Sequence, residues 1–349
     1  MTAVSQQQKH FPALSALGAC LLPATLSGCS SAPGFLDPQG PIARAQLGHF
    51  WFVVAMLAIV ILPVLVLTPL ILWRYRYGTS RAAYRPKWEL TLWLDILIWG
   101  IPILIVVILS VVLWRQTHQL DPYRPLHSDQ PPLEIQVVGY DWKWLFIYPE
   151  QHIATLGQLI VPVGRPVAFD LTSATVLQTF FIPALGSQID VMNRMQTTLH
   201  LLADREGEFE GRNMQYNGDG FHEQRFTARA VNAQDFARFV ADTRHEGIPL
   251  DQHNYRILAR KGSTLEAAKA LGESVTLPDD PLVRFSAVPD GLFDAIMRDA
   301  PLDWSELSPT TGGSATSAPA TPHDTGGETS NPSASAASTT ITTQGESAS

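Results

Sequence analysis

The sequence predicts a two-span transmembrane α-hairpin, an all-β sandwich on the outer side of the membrane, a small helical C-terminal segment and a disordered tail. Three observations carry that reading. Residues 47–73 and 90–114 are apolar segments, each long enough to cross a hydrocarbon core of about 30 Å at about 1.5 Å per helical residue. From Pro131 the pattern changes to short alternating runs broken by Gly, Pro and Asn. In residues 308–349, 35 of 42 are Ser, Thr, Ala, Gly or Pro and none is aromatic, so the tail cannot bury enough apolar surface to fold.

Composition narrows the function classes. Charged residues make up 16% of the 349, well under the roughly 25% of an ordinary globular chain, because the spans and the tail dilute them. The net charge is −8 and no basic block occurs, which argues against nucleic acid as a partner. The two cysteines, Cys20 and Cys29, both precede the spans, so the rest of the chain has no disulfide, no thiolate metal ligand and no cysteine nucleophile. The ten histidines are scattered without metal-type spacing, and no Gly-rich phosphate loop or Gly-x-Ser-x-Gly elbow is present.

The elements follow in order. Residues 1–28 read as a signal peptide, with one basic residue (Lys9), an apolar run from Phe11 and small residues at the end. Its last residues, Leu26-Ser27-Gly28-Cys29, resemble the bacterial lipobox, in which the thiol is acylated and the chain is cut just before it. Cys29 is therefore the expected lipidation site, with Leu17-Gly18-Ala19-Cys20 as a weaker rival because Pro12 breaks its apolar stretch. Residues 29–46 form a segment on the outer side. Trp51, Trp73, Trp93 and Trp114 stand near the ends of the two spans, where amphipathic rings favour the interface. The loop 74–89 carries five basic residues against Glu89, whereas the linker 115–130 is neutral, so the positive-inside rule puts the loop in the cytoplasm and both flanks outside. Asp95 lies inside the second span, and an intramembrane acid is a functional candidate by default.

Residues 131–231 contain β-type runs such as Leu133-Glu134-Ile135-Gln136-Val137-Val138 and Trp144-Leu145-Phe146-Ile147-Tyr148, at the spacing of a sandwich of roughly 100 residues. In residues 232–304, Phe236, Phe239 and Val240 share one helical face, and residues 263–271 and 290–298 read as two further short helices. Residues 305–349 are the tail.

The ordered strings Trp99-Gly100-Ile101-Pro102, Gly139-Tyr140-Asp141-Trp142-Lys143-Trp144, Phe146-Ile147-Tyr148-Pro149-Glu150-Gln151 and Phe181-Ile182-Pro183-Ala184-Leu185-Gly186-Ser187-Gln188-Ile189, with the region 205–221, stand behind the hairpin. In these the chain resembles subunit II of the haem–copper terminal oxidases, over most of its length. The resemblance implies a cupredoxin-like sandwich. In the cytochrome c oxidase branch that sandwich holds a binuclear copper centre, with one His on one loop and a Cys-x3-Cys-x3-His-x2-Met run on another. Here those positions fall on Gln178, Asn213, Asn217, Phe221 and Gln224, so every ligand side chain is replaced and no soft sulfur remains for copper. His222 and Met214 lie one residue off ligand positions and read as surface or packing residues, and Trp142 as a packing or subunit contact.

The ubiquinol oxidase branch is therefore the closer match. It implies no cofactor in this chain, with haems and copper in a partner subunit I, further small membrane subunits, membrane lipid, and ubiquinol oxidised through the complex. The expected setting is a bacterial inner membrane with the large domain in the periplasm. The family has a glutamate at the position of Asp95, at the cytoplasmic mouth of a proton pathway, which makes Asp95 the candidate proton-entry residue. The alternatives are a copper-bearing cytochrome c oxidase subunit II, opposed by the missing ligands, and a membrane-anchored lipoprotein scaffold without respiratory partners.

Overall fold

The computed structural model describes residues 34–75, 91–126, 128–273 and 280–304. The residues expected to form a signal peptide, Cys29, most of the loop between the spans including Lys87, and residues 305–349 lie outside them.

Two helices, α1 (Pro41–Arg74) and α2 (Leu92–Gln119), are long and apolar enough to cross a membrane. Both run past the apolar segments at their outer ends. Helix α1 begins six residues before Leu47, with Pro41 in its first turn, where a missing N–H costs nothing. Pro63, Pro69 and Pro102 lie inside the helices, as spanning helices tolerate.

Twelve strands follow among the described residues: β1 (Leu133–Tyr140), β2 (Lys143–Tyr148), β3 (Ile153–Leu156), β4 (Gln158–Pro162), β5 (Val167–Ser173), β6 (Gln178–Phe181), β7 (Ile189–Val191), β8 (Thr197–Leu201), β9 (Gly207–Asn213), β10 (Arg225–Val231), β11 (Ile248–Pro249) and β12 (Val283–Ala287). They form a seven-stranded sheet in the order β11-β12-β3-β2-β1-β5-β8 and a five-stranded sheet in the order β4-β10-β9-β6-β7. Most neighbours are antiparallel, but β1 pairs parallel with β5, β4 with β10 and β11 with β12. Helices α3 (Ala233–Glu246), α4 (Gln252–Leu258), α5 (Thr264–Ala270) and α6 (Leu292–Arg298) complete the C-terminal segment.

Strand alternation builds two cores. On β2, Trp144, Phe146 and Tyr148 face the space between the sheets, where Phe169, Phe180, Leu199 and Phe226 join them. Leu145 and Ile147 point the other way, into a second core with Leu258, Ala268, Phe285 and Phe293 beneath the C-terminal helices. The C-terminal segment is therefore not purely helical: β11 and β12 extend the larger sheet, α4, α5 and α6 cover that sheet's outer face, and α3 packs Phe236 and Val240 into the core between the sheets. Its helix starts are capped locally, by Asn232 on α3, Asp251 on α4 and a reciprocal Ser263–Glu266 capping box on α5.

The sandwich is clamped to the outer ends of both spans. Ahead of and within the first turns of α1, the Gln39 N–H donates to Ala184 O at 2.7 Å, Ala43 N–H to Leu185 O at 3.2 Å, and Arg44 pairs with Asp204 at 2.6 Å. Gly40 is required there, since a Cβ would lie 2.4 Å from Leu202 O. After α2, Pro122 O lies 3.2 Å from the His200 N–H and 3.0 Å from its Nδ1.

Candidate functional site

The loops at one end of the five-stranded sheet bring four carboxamides together. Gln178 opens β6, Asn213 closes β9, Asn217 lies in the β9–β10 connection and Gln224 immediately precedes β10. Gln178 and Gln224 are wholly buried and Asn213 nearly so. Gln224 is the hub. Its Oε1 accepts from Asn213 Nδ2 at 2.9 Å and Asn217 Nδ2 at 2.7 Å, and its Nε2 donates to Gln178 Oε1 at 2.6 Å and Tyr140 O at 3.3 Å. Gln178 Nε2 also donates to Tyr140 O at 3.1 Å, and Asn213 Oδ1 accepts from the Thr179 and Gln215 N–H groups at 2.8 and 2.9 Å. Space for Gln178 is made by Gly139, where a Cβ would lie 2.2 Å from its Oε1. Five chain segments are thereby tied through side-chain amides.

This donor set does not fit a binuclear copper centre. Carboxamide oxygens are hard, and those of Gln178, Asn213 and Gln224 already accept N–H groups, while that of Asn217 is buried without a donor; the amide nitrogens are donors without a free lone pair. The Phe221 side chain takes no part in these hydrogen bonds; its carbonyl accepts from the Gln224 N–H at 3.2 Å, and its ring packs against Tyr216 at 5.8 Å. His222 is exposed with Nε2 3.7 Å from Glu223, and Met214 is about half exposed.

Beside the cluster, Trp142 occupies the two-residue turn between β1 and β2 in a left-handed conformation (φ 70°), which costs a bulky residue about 1–2 kcal/mol. Its ring lies against Gly220, where a Cβ would come within 2.1 Å of it, and Lys261 Nζ stands 4.8 Å from the ring centroid. The next residue, Lys143, is fully buried, and its ammonium donates to Arg260 O at 2.6 Å, Gly262 O at 2.8 Å and Asp141 O at 3.3 Å. Burial pushes this amine down to about 8, against the pull of Asp141 and Glu266 towards the charged form. The sequence reading passed over Lys143. The available signal was a cation inside an aromatic strand pattern, Trp142-Lys143-Trp144-Leu145-Phe146.

Asp95 sits in the first turn of α2, half-buried, and its N–H donates to Thr91 O at 3.2 Å. It stands far along the chain from the carboxamides, at the opposite end of α2 from the sandwich, so the site residues fall into separate places. Cys29 lies outside the described residues. Among the described residues no group of three or more His, Cys, Asp or Glu side chains could hold a metal ion.

No protein-family model matches the chain. Curated relatives do. It is 40% identical over 253 residues to cytochrome bo(3) ubiquinol oxidase subunit 2 of Pseudomonas putida, covering 72% of this chain and 80% of that one. It is 37% identical over 286 residues to ubiquinol oxidase subunit 2 of Acetobacter aceti, covering 81% and 86%. Quinol oxidase subunit 2 of Bacillus subtilis (strain 168) is 36% identical over 232 residues, with 66% and 72% covered. Among solved structures, the periplasmic domain of subunit II of the cytochrome oxidase of Bradyrhizobium japonicum aligns with a TM-score of 0.33 and 22% identity, over 35% of this chain and 99% of that one. A haem–copper terminal oxidase dimer aligns with a TM-score of 0.31 and 13% identity, over 39% and 98%. With sequence identity of this level across most of the length of several curated relatives, the chain belongs to the family of ubiquinol oxidase subunit 2.

Proposed function

We propose that the chain serves as subunit II of a ubiquinol oxidase that passes electrons from quinol to oxygen while moving protons outward. The chain itself contributes no redox centre, and haems and copper belong to a partner subunit I. The observation that carries this reading is the buried carboxamide cluster of Gln178, Asn213, Asn217 and Gln224. It stands where the resemblance to copper-bearing relatives puts thiolates, an imidazole and a thioether, and its amides bond to one another through Gln224. A domain so built holds loops in register and caps a partner; it offers no path for electrons through copper.

The hairpin packs against subunit I within a bacterial inner membrane, with the sandwich in the periplasm. The clamp at Gln39, Ala43, Arg44 and His200 supports that role, since it fixes the sandwich to both spans. Asp95, at the end of α2 that the positive-inside rule puts in the cytoplasm, serves proton entry into subunit I. Cys29 carries lipid, as a supplementary anchor beside two spans.

The test is to isolate the tagged full-length chain from membranes. The reading expects a co-purifying haem-bearing multi-span subunit and oxygen uptake driven by ubiquinol that is lost when this chain is deleted. Isolation of the chain without any haem protein would leave the scaffold alternative instead.

A further inference from the structure

Just before α1 the chain folds back along that helix. Gln39 is held to the sandwich, its N–H donating to Ala184 O and its carbonyl accepting from the Asp204 N–H at 2.9 Å. Upstream of it, Gly34 to Asp37 form a tight turn, closed by the Asp37 N–H on Gly34 O at 3.1 Å. In this turn the Phe35 ring meets Phe50 edge to face, with centroids 5.3 Å apart and planes at 87°. Phe50 lies nine residues beyond Pro41, about 14 Å along the helix at about 1.5 Å per residue. The turn therefore lies beside α1, past the sandwich contact, at the level where the uncharged run from Leu47 begins.

What the turn exposes at that level is apolar. Leu36 is 62% exposed, and beside it on the helix Trp51 is 56% and Phe50 39% exposed. The Phe50 ring also meets Trp51 at 5.3 Å. Phe50, Trp51 and Val54 share one face of α1 by their spacing of three and four, so Leu36 and the Phe35 ring widen the exposed surface of a membrane span. The neighbouring Asp37 is exposed too, and it limits how deep the turn can go, because a carboxylate is costly in hydrocarbon.

A four-residue turn offers far less than the area of about 800 Å² per partner that a stable protein interface buries. Apolar and aromatic side chains beside a single carboxylate instead match the layer between lipid headgroups and hydrocarbon, where Trp51 already stands. We propose that the turn Gly34–Asp37 is a foot that sets Leu36 and Phe35 into the interfacial layer of the outer leaflet, with Asp37 among the headgroups. The proposal rests on the hairpin crossing a bilayer with the sandwich outside, and it is independent of the electron donor.

The test places a nitroxide at Leu36→Cys in the full-length chain, alone and within its purified complex, both in phosphatidylcholine vesicles. It compares collisions with oxygen, which concentrates in lipid, and with a water-soluble nickel chelate, after subtracting the spectrum of the labelled parent. The oxygen-to-nickel ratio at position 36 should exceed that at Asp290→Cys, an exposed site on the outer domain, several-fold in both preparations. Leu62→Cys, 57% exposed midway along α1, reports the span itself in the chain alone. A high ratio at position 62 with a ratio at 36 no greater than at 290 would overturn the foot and leave the span standing. Low ratios at both 62 and 36 would overturn the foot together with the spanning reading. Shielding of position 36 from both reagents in the complex would assign the turn to a protein partner and overturn the lipid contact.

Discussion

Replacing Gln224 by leucine removes the hub of the carboxamide cluster and provides a quantitative test of it. Four hydrogen bonds disappear together: those accepted from Asn213 and Asn217, and those donated to Gln178 and Tyr140. Two of the abandoned partners keep another bond, since Asn213 Nδ2 still donates to Gln215 O at 2.8 Å and Tyr140 O still accepts from Gln178 Nε2 at 3.1 Å. Asn217 Nδ2 and Gln178 Oε1 are left unpaired. At about 1–3 kcal/mol per orphaned buried group, Gln224→Leu should destabilise the outer domain by about 2–5 kcal/mol, towards the lower figure because Asn217 is only half-buried. The assay is denaturant unfolding of the purified full-length chain followed by tryptophan fluorescence, where Trp144 reports from the core between the sheets. The double variant Gln178→Leu, Gln224→Leu removes both ends of the 2.6 Å bond, so its cost should fall short of the sum of the single variants by about 1 kcal/mol or more. Single costs below about 0.5 kcal/mol that simply add would refute the view that these amides act as one network.

Other outcomes follow from the same structure. Gly220→Ala puts a methyl group 2.1 Å from the Trp142 ring and should cost about 1–3 kcal/mol, with a shift in the Trp142 emission that a merely exposed glycine would not give. Lys143 has its pKa lowered from 10.5 to about 8, so between those values the unfolded chain binds more protons than the folded one and stability gains from rising pH. That contribution amounts to at most about 3 kcal/mol, and comparing the unfolding of Lys143→Met with the parent at pH 7 and pH 10 should show it vanish; an unchanged pH slope would remove Lys143 as its source. Asp95→Asn should assemble with normal haem content but turn over more slowly, and Asp95→Glu should stay near the parent rate; full turnover of Asp95→Asn across pH 6–8 would make the carboxylate structural. The combined graft Gln178→His, Asn213→Cys, Asn217→Cys, Phe221→His and Gln224→Met should bind copper with an intense thiolate charge-transfer band, which the parent domain should lack.

The spans and strands such as β1 and β2 were legible because each rests on a local pattern: an unbroken apolar run in the first case, a short β-type run bounded by turn residues in the second. Where tertiary contacts set the boundaries, the pattern gave no warning. Helix α1 starts at Pro41 rather than Leu47 because the sandwich grips Gln39, Ala43 and Arg44, and a charge at position 44 reads locally as the end of a span. Strand β11 is two residues long and ends in proline, and β12 earns its place by pairing with β3, far back in the chain. Helix α4 (Gln252–Leu258) has little apolar periodicity and is held by its cap at Asp251 and the second core. At the site, the replaced ligand positions could be read from the sequence, but not that Gln178, Asn213, Asn217 and Gln224 bond to one another, because their pairing spans up to 46 residues. His200 looked like one of many scattered histidines; its anchoring of Pro122 depends on where β8 meets the linker.

The central claim is that this chain completes an oxidase fed by quinol and carries no copper of its own. It is tested most directly by giving one purified complex both donors, ubiquinol and reduced cytochrome c, and counting the copper bound to the isolated subunit. Rapid oxygen uptake with ubiquinol is expected, with none above background from cytochrome c and no copper in this subunit. Oxygen uptake driven by cytochrome c, together with two tightly held coppers per chain, would contradict it.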